Sequence, residues 1–477
     1  VAEIHTDVVV LGVGTCGEDL SLRLLGEGLS VVGIEANLVG GECPYWACLP
    51  TKMMIRAGNA IAEARRVELL AGNSDVVASW TPVAERVRAE ATGNWDDSIA
   101  VQRFGDRGGQ LIHGRGHFVG PRAIEVNGDR VIARIGVVIA TGSQPTIPPI
   151  PGLEDVPYWT THDAIAAESL PSSLIVLGGG AVGCELGQVL ARFGVAITIV
   201  EGRERLLAAE EPEASAIVEE SLTADGVTVL TGVHATRVFV TENGVGVDLA
   251  NGTMVEASLL LVATGRHIDL SDLGLEVLGL NGADHTLDVD ATMRVADGVW
   301  AMGDVTGKGM FTHLAMHQAG IVGDDILGTI SRIADDEAPP RVTFTDPEVG
   351  AVGMTEEQAL SAGLDIAVVV KSLAATFRGW LHATGSGVIK LVIDRSTGLL
   401  VGATAVGPHG GEVLGMLSLA IHAEVPVEKL QTMIYAFPTF HGGIGEAIGA
   451  YARGLSTVFE PGNQGIDTID KVIADLG

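Results

Sequence analysis

The sequence predicts an α/β chain with two doubly wound parallel-sheet units and a separate C-terminal α+β domain. Three observations carry this reading: a strand–glycine turn–helix–strand pattern near the N-terminus, its recurrence in mid-chain, and a change of texture after about Pro339. The 477 residues suit two to four domains, at roughly 100–200 residues each.

Val8 to Leu11 is a short apolar run and reads as a buried parallel strand. The turn Gly12-Val-Gly14-Thr-Cys-Gly17 follows, then a helical pattern through Leu20, Leu22 and Leu25. A strand from Leu29 to Ile34 then ends at Glu35. Glycines so spaced permit a tight turn and close backbone approach to a pyrophosphate at a helix N-terminus. The acid beyond can accept hydrogen bonds from a ribose diol. The unit recurs as strand Leu174–Leu177, turn Gly178-Gly-Gly180-Ala-Val-Gly183, helix Glu185–Phe193 and strand Val195–Val200, ending at Glu201. Two such units imply two Rossmann-like dinucleotide-binding domains. Glu201 favours a free 2′-hydroxyl, hence NADH; Arg203 and Arg205 follow closely and could hold a 2′-phosphate, so NADPH stays open.

Each unit has a later companion, Val137-Val-Ile-Ala-Thr141-Gly142 and Leu259-Leu-Leu-Val-Ala-Thr-Gly265. The strand Val299-Trp-Ala-Met302 runs into Gly303-Asp304, where the acid can bond a ribitol hydroxyl. Pro145, Pro148, Pro149 and Pro151 mark a boundary near residue 152, and Trp80 to Gly105 reads as helical and charged. Beyond Pro339, Arg341–Thr345, Ile366–Val370 and Val388–Ile393 read as strands. Glu412–Ala423 and Gly445–Gly454 read as helices. The expected domains are 1–152 with 269–339, then 153–268, then 340–465, with a tail at 466–477.

A net charge of −31, from 29 basic and 60 acidic residues, repels nucleic acid and anionic lipid. It serves general solubility or a mild attraction for cationic substrates. No window approaches the ~18 apolar residues of a membrane span. The segment Val1–Val10 has no basic region of the signal-peptide kind, so a cytoplasmic location is expected. No metal site is expected. Of the four cysteines, Cys16 and Cys184 sit in glycine-rich turns and read as buried fillers. Cys43 and Cys48 belong to Gly40-Gly-Glu-Cys43-Pro-Tyr-Trp-Ala-Cys48-Leu-Pro-Thr-Lys52. A pair so spaced can lie on one face of a helix's first turns, close enough to bridge. There the helix N-terminus and Lys52 would depress a thiolate's pKa.

The run Gly-Gly-x-Cys-x4-Cys-x-Pro-[Ser/Thr]-Lys resembles the redox-active motif of the class I pyridine nucleotide–disulfide oxidoreductases. These include glutathione, mycothione and mercuric reductases and dihydrolipoyl dehydrogenase. The likeness extends in order over nearly the whole chain, to Thr345-Asp-Pro-Glu348 at the start of the last domain. It implies an FAD domain using Gly12, Gly14, Gly17, Glu35, Thr141, Gly142, Gly303 and Asp304. It implies an inserted NAD(P) domain using Gly178, Gly180, Gly183, Glu201, Arg203 and Gly265, and a C-terminal dimerisation domain that makes a homodimer. It further implies hydride transfer to flavin beside a Lys52–Glu185 ion pair. Reduction of the Cys43–Cys48 disulfide would follow, with Cys48 facing the flavin and Cys43 attacking a small-molecule disulfide.

The departure lies near the C-terminus. The family carries His-Pro-Thr-x-x-Glu, whose histidine reaches the partner's active site and moves the thiol proton. Here the segment reads Tyr435-Ala-Phe437-Pro438-Thr439-Phe440-His441-Gly-Gly-Ile-Gly-Glu446. Phe437 stands in the histidine's place and cannot carry a proton. His441 and Glu446 form a displaced acid/base pair, or His441 is a pocket wall or a partly buried histidine; Tyr435 is another candidate donor. Tyr45, Trp46, Tyr435, Phe437 and Phe440 are either ordinary packing or an aromatic wall for a flat or cationic disulfide such as that of ergothioneine. The chain ends Ala474-Asp-Leu-Gly477, without the vicinal cysteines of mercuric reductases. Dihydrolipoyl dehydrogenase depends on the missing histidine. The same residues would also suit a flavin-only diaphorase or quinone reductase, or a non-catalytic redox sensor.

Overall fold

The computed structural model describes residues 2–329 and 338–454, so the expected tail at 466–477 lies outside the described residues. Val8, Val9 and Val10 are fully buried, as a central strand covered on both faces requires. Their strand, Glu3–Leu11, lies between Asp129–Ile139 and Val31–Glu35, parallel to both. Val299–Ala301 and Gln110–His113 extend this parallel core on either side. An antiparallel strand, Arg294–Ala296, borders one edge, and the hairpin of His117–Gly120 with Ala123–Val126 joins the long strand Asp129–Ile139. One sheet therefore takes strands from both sides of the second sheet in sequence. That second sheet is all parallel, ordered Thr228–Leu230, Ala196–Val200, Ser173–Leu177, Leu259–Val262, Tyr158–Trp159. A third large sheet is antiparallel, ordered Arg341–Thr343, Glu348–Gly353, Leu399–Gly407, Val388–Asp394, Ile366–Ser372, with the helices Gly410–His422 and Gly442–Ala452 against it.

Three details differ from the sequence reading. Trp80 to Gly105 is not one helical stretch: Thr81–Arg86 passes through a π turn to Gly93–Trp95, where Asn94 takes a positive φ of 60°. The chain restarts as Ser98–Asp106. A three-stranded antiparallel sheet, Ala235–Val240, Val245–Leu249 and Met254–Ala257, was not expected, because its outer strands are largely exposed and its buried central strand is short. Glu348–Gly353 and Leu399–Gly407 were also missed; their glycines and small residues disguise two buried strands.

Buried ion pairs tie the second sheet's module to the third. Lys390, 2% exposed, places Nζ 3.0 Å from Glu211, 3.0 Å from Glu213 and 2.8 Å from Glu356. Burial alone would lower its pKa; the hydrogen bonds it donates to Glu356, Glu211 and Glu213 outweigh it and hold the lysine above its ordinary value. Arg192 likewise bridges Asp225 and Asp346, each at 2.9 Å. No helix among the described residues is long and apolar enough to cross a membrane.

Candidate active site

The two glycine turns have the same construction. A Cβ on Gly12 would lie 2.3 Å from the Ala140 carbonyl oxygen, and one on Gly17 would lie 2.1 Å from that of Gly12. In the second turn, Gly178 and Gly183 would meet the Ala263 and Gly178 carbonyl oxygens at 2.4 and 2.0 Å. The outer glycines are thus demanded by the protein's own backbone. The middle ones are not: a Cβ on Gly14 meets only Gly41 Cα, at 3.9 Å, and one on Gly180 meets open space. Each middle glycine caps a helix N-terminus, Thr15–Gly26 or Ala181–Arg192. Space beside a helix N-terminus fits a pyrophosphate.

The acids are set by the turns they serve. Glu35 Oε2 accepts from the Val13 amide at 2.7 Å and Oε1 from that of Asn37 at 2.8 Å. Burial pushes its pKa up, and these amides offset part of the rise. Glu201 repeats the arrangement, accepting from the amides of Gly179 at 2.6 Å and Arg203 at 2.7 Å. Arg205 turns back to donate to the carbonyls of Leu207 and Ala208, at 3.2 and 3.1 Å.

A cavity of about 1790 Å³ runs from Gly12, Gly14 and Glu35, past Thr141, Gly142, Gly303 and Asp304, to Cys43, Cys48, Lys52 and Glu185. Gly17 packs beneath the turn; the second turn reaches this cavity through Val182, while Gly178, Gly180, Gly183, Glu201, Arg203 and Gly265 lie off its wall. The cysteines do not share one continuous helix. Cys43 sits on the short helix Glu42–Trp46 and Cys48 opens the long helix Cys48–Arg65, with a break at Ala47 (φ −143°, ψ −98°). Pro50 falls in the first turn of the long helix, where its missing N–H costs nothing.

All four cysteines are free thiols, and Cys16 and Cys184 are buried. Burial pushes Cys16 up to about 12. The active pair differs. A hydrogen bond from the Cys43 thiol lowers the Cys48 pKa to about 6, against burial, with Thr312 and the Lys52 charge adding to the fall. The same bond, and then burial, push Cys43 up. Thr312 Oγ1 lies 3.4 Å from Cys48 Sγ. Lys52 Nζ donates to Glu185 Oε2 at 2.8 Å and stands 4.7 Å over the Phe344 ring. Glu185, 5% exposed, also accepts from the Phe344 amide at 2.8 Å.

Sequence reasoning missed a chain of bonds across this cavity. Ser143 donates to Asp304 Oδ2 at 2.5 Å, Arg266 donates to Ser143 Oγ at 2.7 Å and to Glu42 at 3.2 Å, and Glu42 meets His162 Nε2 at 3.0 Å. Glu42 precedes Cys43 and Arg266 follows Gly265. Adjacency to two recognised motifs was the one available signal.

The aromatic set is rearranged. Trp46 lines the cavity, but Trp95 and His162 stack on it at 5.3 and 4.5 Å. Tyr45 is not on the cavity wall: it is buried against Gly40, and its neighbours Asp97 and Glu18 help burial to raise its pKa. Tyr435, Phe437, Phe440 and His441 also lie off this cavity within one chain. The Tyr435 hydroxyl is bonded to the Leu430 carbonyl at 3.1 Å, which leaves it poorly placed to donate a proton elsewhere. His441 Nε2 lies 3.4 Å from Thr439 Oγ1, while Glu446 pairs with Lys371 at 3.2 Å. Within one chain Glu446 is thus paired with Lys371, and His441 with Thr439. Among the described residues, no group of three or more His, Cys, Asp or Glu is arranged to hold a metal ion.

Comparison with known proteins agrees with this geometry. Residues 6–319 match the family "Pyridine nucleotide-disulphide oxidoreductase", and 339–448 match its dimerisation domain. A dihydrolipoyl dehydrogenase of Thermus scotoductus is 33% identical over 92% of this chain and 96% of its own length. A mercuric reductase of Staphylococcus aureus is 31% identical over 92% of this chain and 81% of its own. Among solved structures, the HOCl-induced flavoprotein disulfide reductase RclA from Escherichia coli superposes with a TM-score of 0.82 at 27% identity, covering 93% of this chain and 99% of RclA. LpdA from Mycobacterium tuberculosis gives the same score and identity over 94% of this chain and 100% of its own. The chain belongs to the pyridine nucleotide–disulphide oxidoreductase family, as a flavin-dependent oxidoreductase acting on sulfur groups with FAD and a pyridine nucleotide.

Proposed function

We propose that this enzyme works as a homodimer and reduces a low-molecular-weight disulfide through Cys43 and Cys48, with NADH as the preferred donor. The observation that carries the reading is a coupled thiol pair in a cavity continuous with the first nucleotide turn. Gly12, Gly14, Gly17, Glu35, Thr141, Gly142, Gly303 and Asp304 would hold FAD, and Gly178, Gly180, Gly183, Glu201, Arg203 and Gly265 the nicotinamide dinucleotide. Bound FAD supplies the two-electron link between nicotinamide and the cysteines. Lys52 and Glu185 fix the charge beside that link.

The Cys43 sulfur, once deprotonated, attacks one sulfur of the substrate disulfide and expels the other as a thiolate. Cys48 then attacks Cys43 Sγ in the mixed disulfide, releasing the second thiolate and closing the Cys43–Cys48 bond. Two protons are taken up by the two products. The pair holds its one remaining proton on Cys43, so a base must draw it off or Cys48 must exchange places with it. Cys43→Ser should abolish disulfide turnover while NADH oxidation by quinones survives. Undiminished disulfide reduction in that variant would sink the proposal. Loss of both activities would point to damage at the flavin.

For the donor, both oxygens of Glu201 are engaged by the turn and Arg205 is tied to backbone carbonyls, which favours a free 2′-hydroxyl. NADH should exceed NADPH in kcat/KM by about tenfold or more, the cost of about 1.4 kcal/mol against a 2′-phosphate. Glu201→Gln should narrow the ratio. Ergothioneine disulfide is the substrate we propose, in view of the acidic protein and the aromatic C-terminal segment. No turnover above the oxidase background with either nicotinamide would exclude it.

A further inference from the structure

Cys43 rides on a short element. The helix Glu42–Trp46 has five residues, well below the roughly 12–15 that an isolated helix needs in water. Gly40 and Gly41, at φ 104° and 73°, precede it, and the break at Ala47 follows. No side chain caps its N-terminus. Its place against Cys48 therefore depends on contacts from elsewhere in the fold. Tyr45 buries one side of it.

On the cavity side, His162 touches both ends of this helix. Its Nε2 lies 3.0 Å from Oε1 and 3.1 Å from Oε2 of Glu42, the first residue. Its ring stacks on Trp46, the last residue, with 4.5 Å between centroids and 19° between planes. Arg266 reaches the same carboxylate at 3.2 Å. Burial acts to raise the Glu42 pKa; the His162 hydrogen bond and the Arg266 charge outweigh it and hold the carboxyl below its ordinary value. Both partners sit where the chain crosses between the two nucleotide modules. His162 lies in the first turn of the helix Thr161–Ala166, just after the outward crossing. Arg266 belongs to Arg266–His267, on the return, which pairs antiparallel with Gln144–Pro145 on the way out. Arg266 also donates to the Ser143 hydroxyl and carbonyl, at 2.7 and 2.6 Å.

We propose that Glu42 is a positioning residue: clamped by His162 and Arg266, it holds the short helix so that the Cys43 thiol can donate to Cys48, and it ties the cysteine pair to the joint between the nucleotide modules. The inference rests on the reading of Cys43 and Cys48 as the working pair. Charge alone predicts the opposite behaviour. A carboxylate near a thiolate disfavours the thiolate, so deleting Glu42 for its charge should lower the Cys48 pKa. Deleting it as a clamp frees the helix and loosens the bond from Cys43, which is the largest cause of the low Cys48 value, so the value should rise. The other groups that lower it, Thr312 and Lys52, stay in place.

The test labels Cys48 with iodoacetamide across a pH series in the FAD-loaded, dithiothreitol-reduced enzyme, with the modified cysteine assigned by fragment mass. Glu42→Ala should move the labelling midpoint up by about one pH unit, from the wild-type value of about 6. His162→Phe keeps a ring on Trp46 but removes the bond to Glu42, and should move the midpoint the same way. The double variant should shift no further than the larger single shift, because both changes break one clamp. A midpoint that falls or stays put in either single variant, or shifts that add in the double one, overturns the proposal. If Glu42→Ala does not hold FAD, His162→Phe decides alone: a rise supports the clamp, and a fall or an unmoved midpoint overturns it. Labelling needs no substrate. It therefore reads the clamp even where no disulfide is turned over, the separate outcome that sinks the reductase reading.

Discussion

At the scale of single residues, Cys43 and Cys48 share one easily lost proton and one tightly held proton. The largest cause of the low Cys48 value is the Cys43 thiol itself. Cys43→Ala therefore removes the donor and should move the Cys48 titration up by about one unit or more, from the wild-type midpoint of about 6. Iodoacetamide labelling of the reduced enzyme across pH 5–9 reads this out: wild type should react at nearly full rate by pH 7, while the variant should still be gaining rate there. An unmoved midpoint would assign the low value to Lys52 and the helix terminus instead. Lys52→Met leaves Glu185 buried with only the Phe344 amide for company. It should cost about 1–3 kcal/mol in denaturant unfolding and slow flavin reduction by NADH in stopped flow. The sequence pointed to Lys52 through its place beside the cysteine pair, and to Glu185 through family likeness alone. It said nothing of Trp95 and His162, which come from distant segments and reach Trp46 only when the chain folds.

At the scale of elements, the glycine turns were the most legible part of the chain. Strand, turn, helix and acid are consecutive in sequence, and their geometry depends on local backbone contacts. They also separate folding from binding. Gly183→Ala forces a Cβ to within 2.0 Å of the Gly178 carbonyl oxygen and should lower the melting temperature. Gly180→Ala meets no protein atom. It should melt like wild type yet raise the KM for NADH about tenfold, because the methyl group occupies space left for pyrophosphate. A lower melting temperature for Gly180→Ala would show that its openness is an intrinsic requirement of the turn. The break at Ala47 was less legible. A spacing that suits one helix turned out to span two, and nothing in Pro-Tyr-Trp-Ala announces a kink. The glycine-bearing strands of the third sheet were hidden for a similar reason, since their burial comes from partners far along the chain.

At the scale of the whole molecule, the sheet order shows how a chain can leave one domain, build another and return. Val299–Ala301 pairs with Asp129–Ile139 across the intervening second sheet. Such insertions depend on firm joints. Lys390 is one of them, since its three carboxylates come from the segments 211–213 and 356 while the lysine sits in a strand of the third sheet. Lys390→Met should destabilise the protein by about 3–5 kcal/mol, as expected when one member of a buried charge cluster is removed. Adding Glu211→Leu should recover part of the loss. Urea unfolding followed by flavin release and by circular dichroism would show whether the modules then part separately.

Trp46, pressed between Trp95 and His162 on the cavity wall, has an optical consequence. The protein has six tryptophans, and two of them line the space assigned to flavin. Indole emission overlaps flavin absorption, so loading the cofactor should darken these two and leave the distant ones bright. The enzyme thus carries its own label-free gauge of occupancy, one that a Trp46→Phe variant would partly switch off.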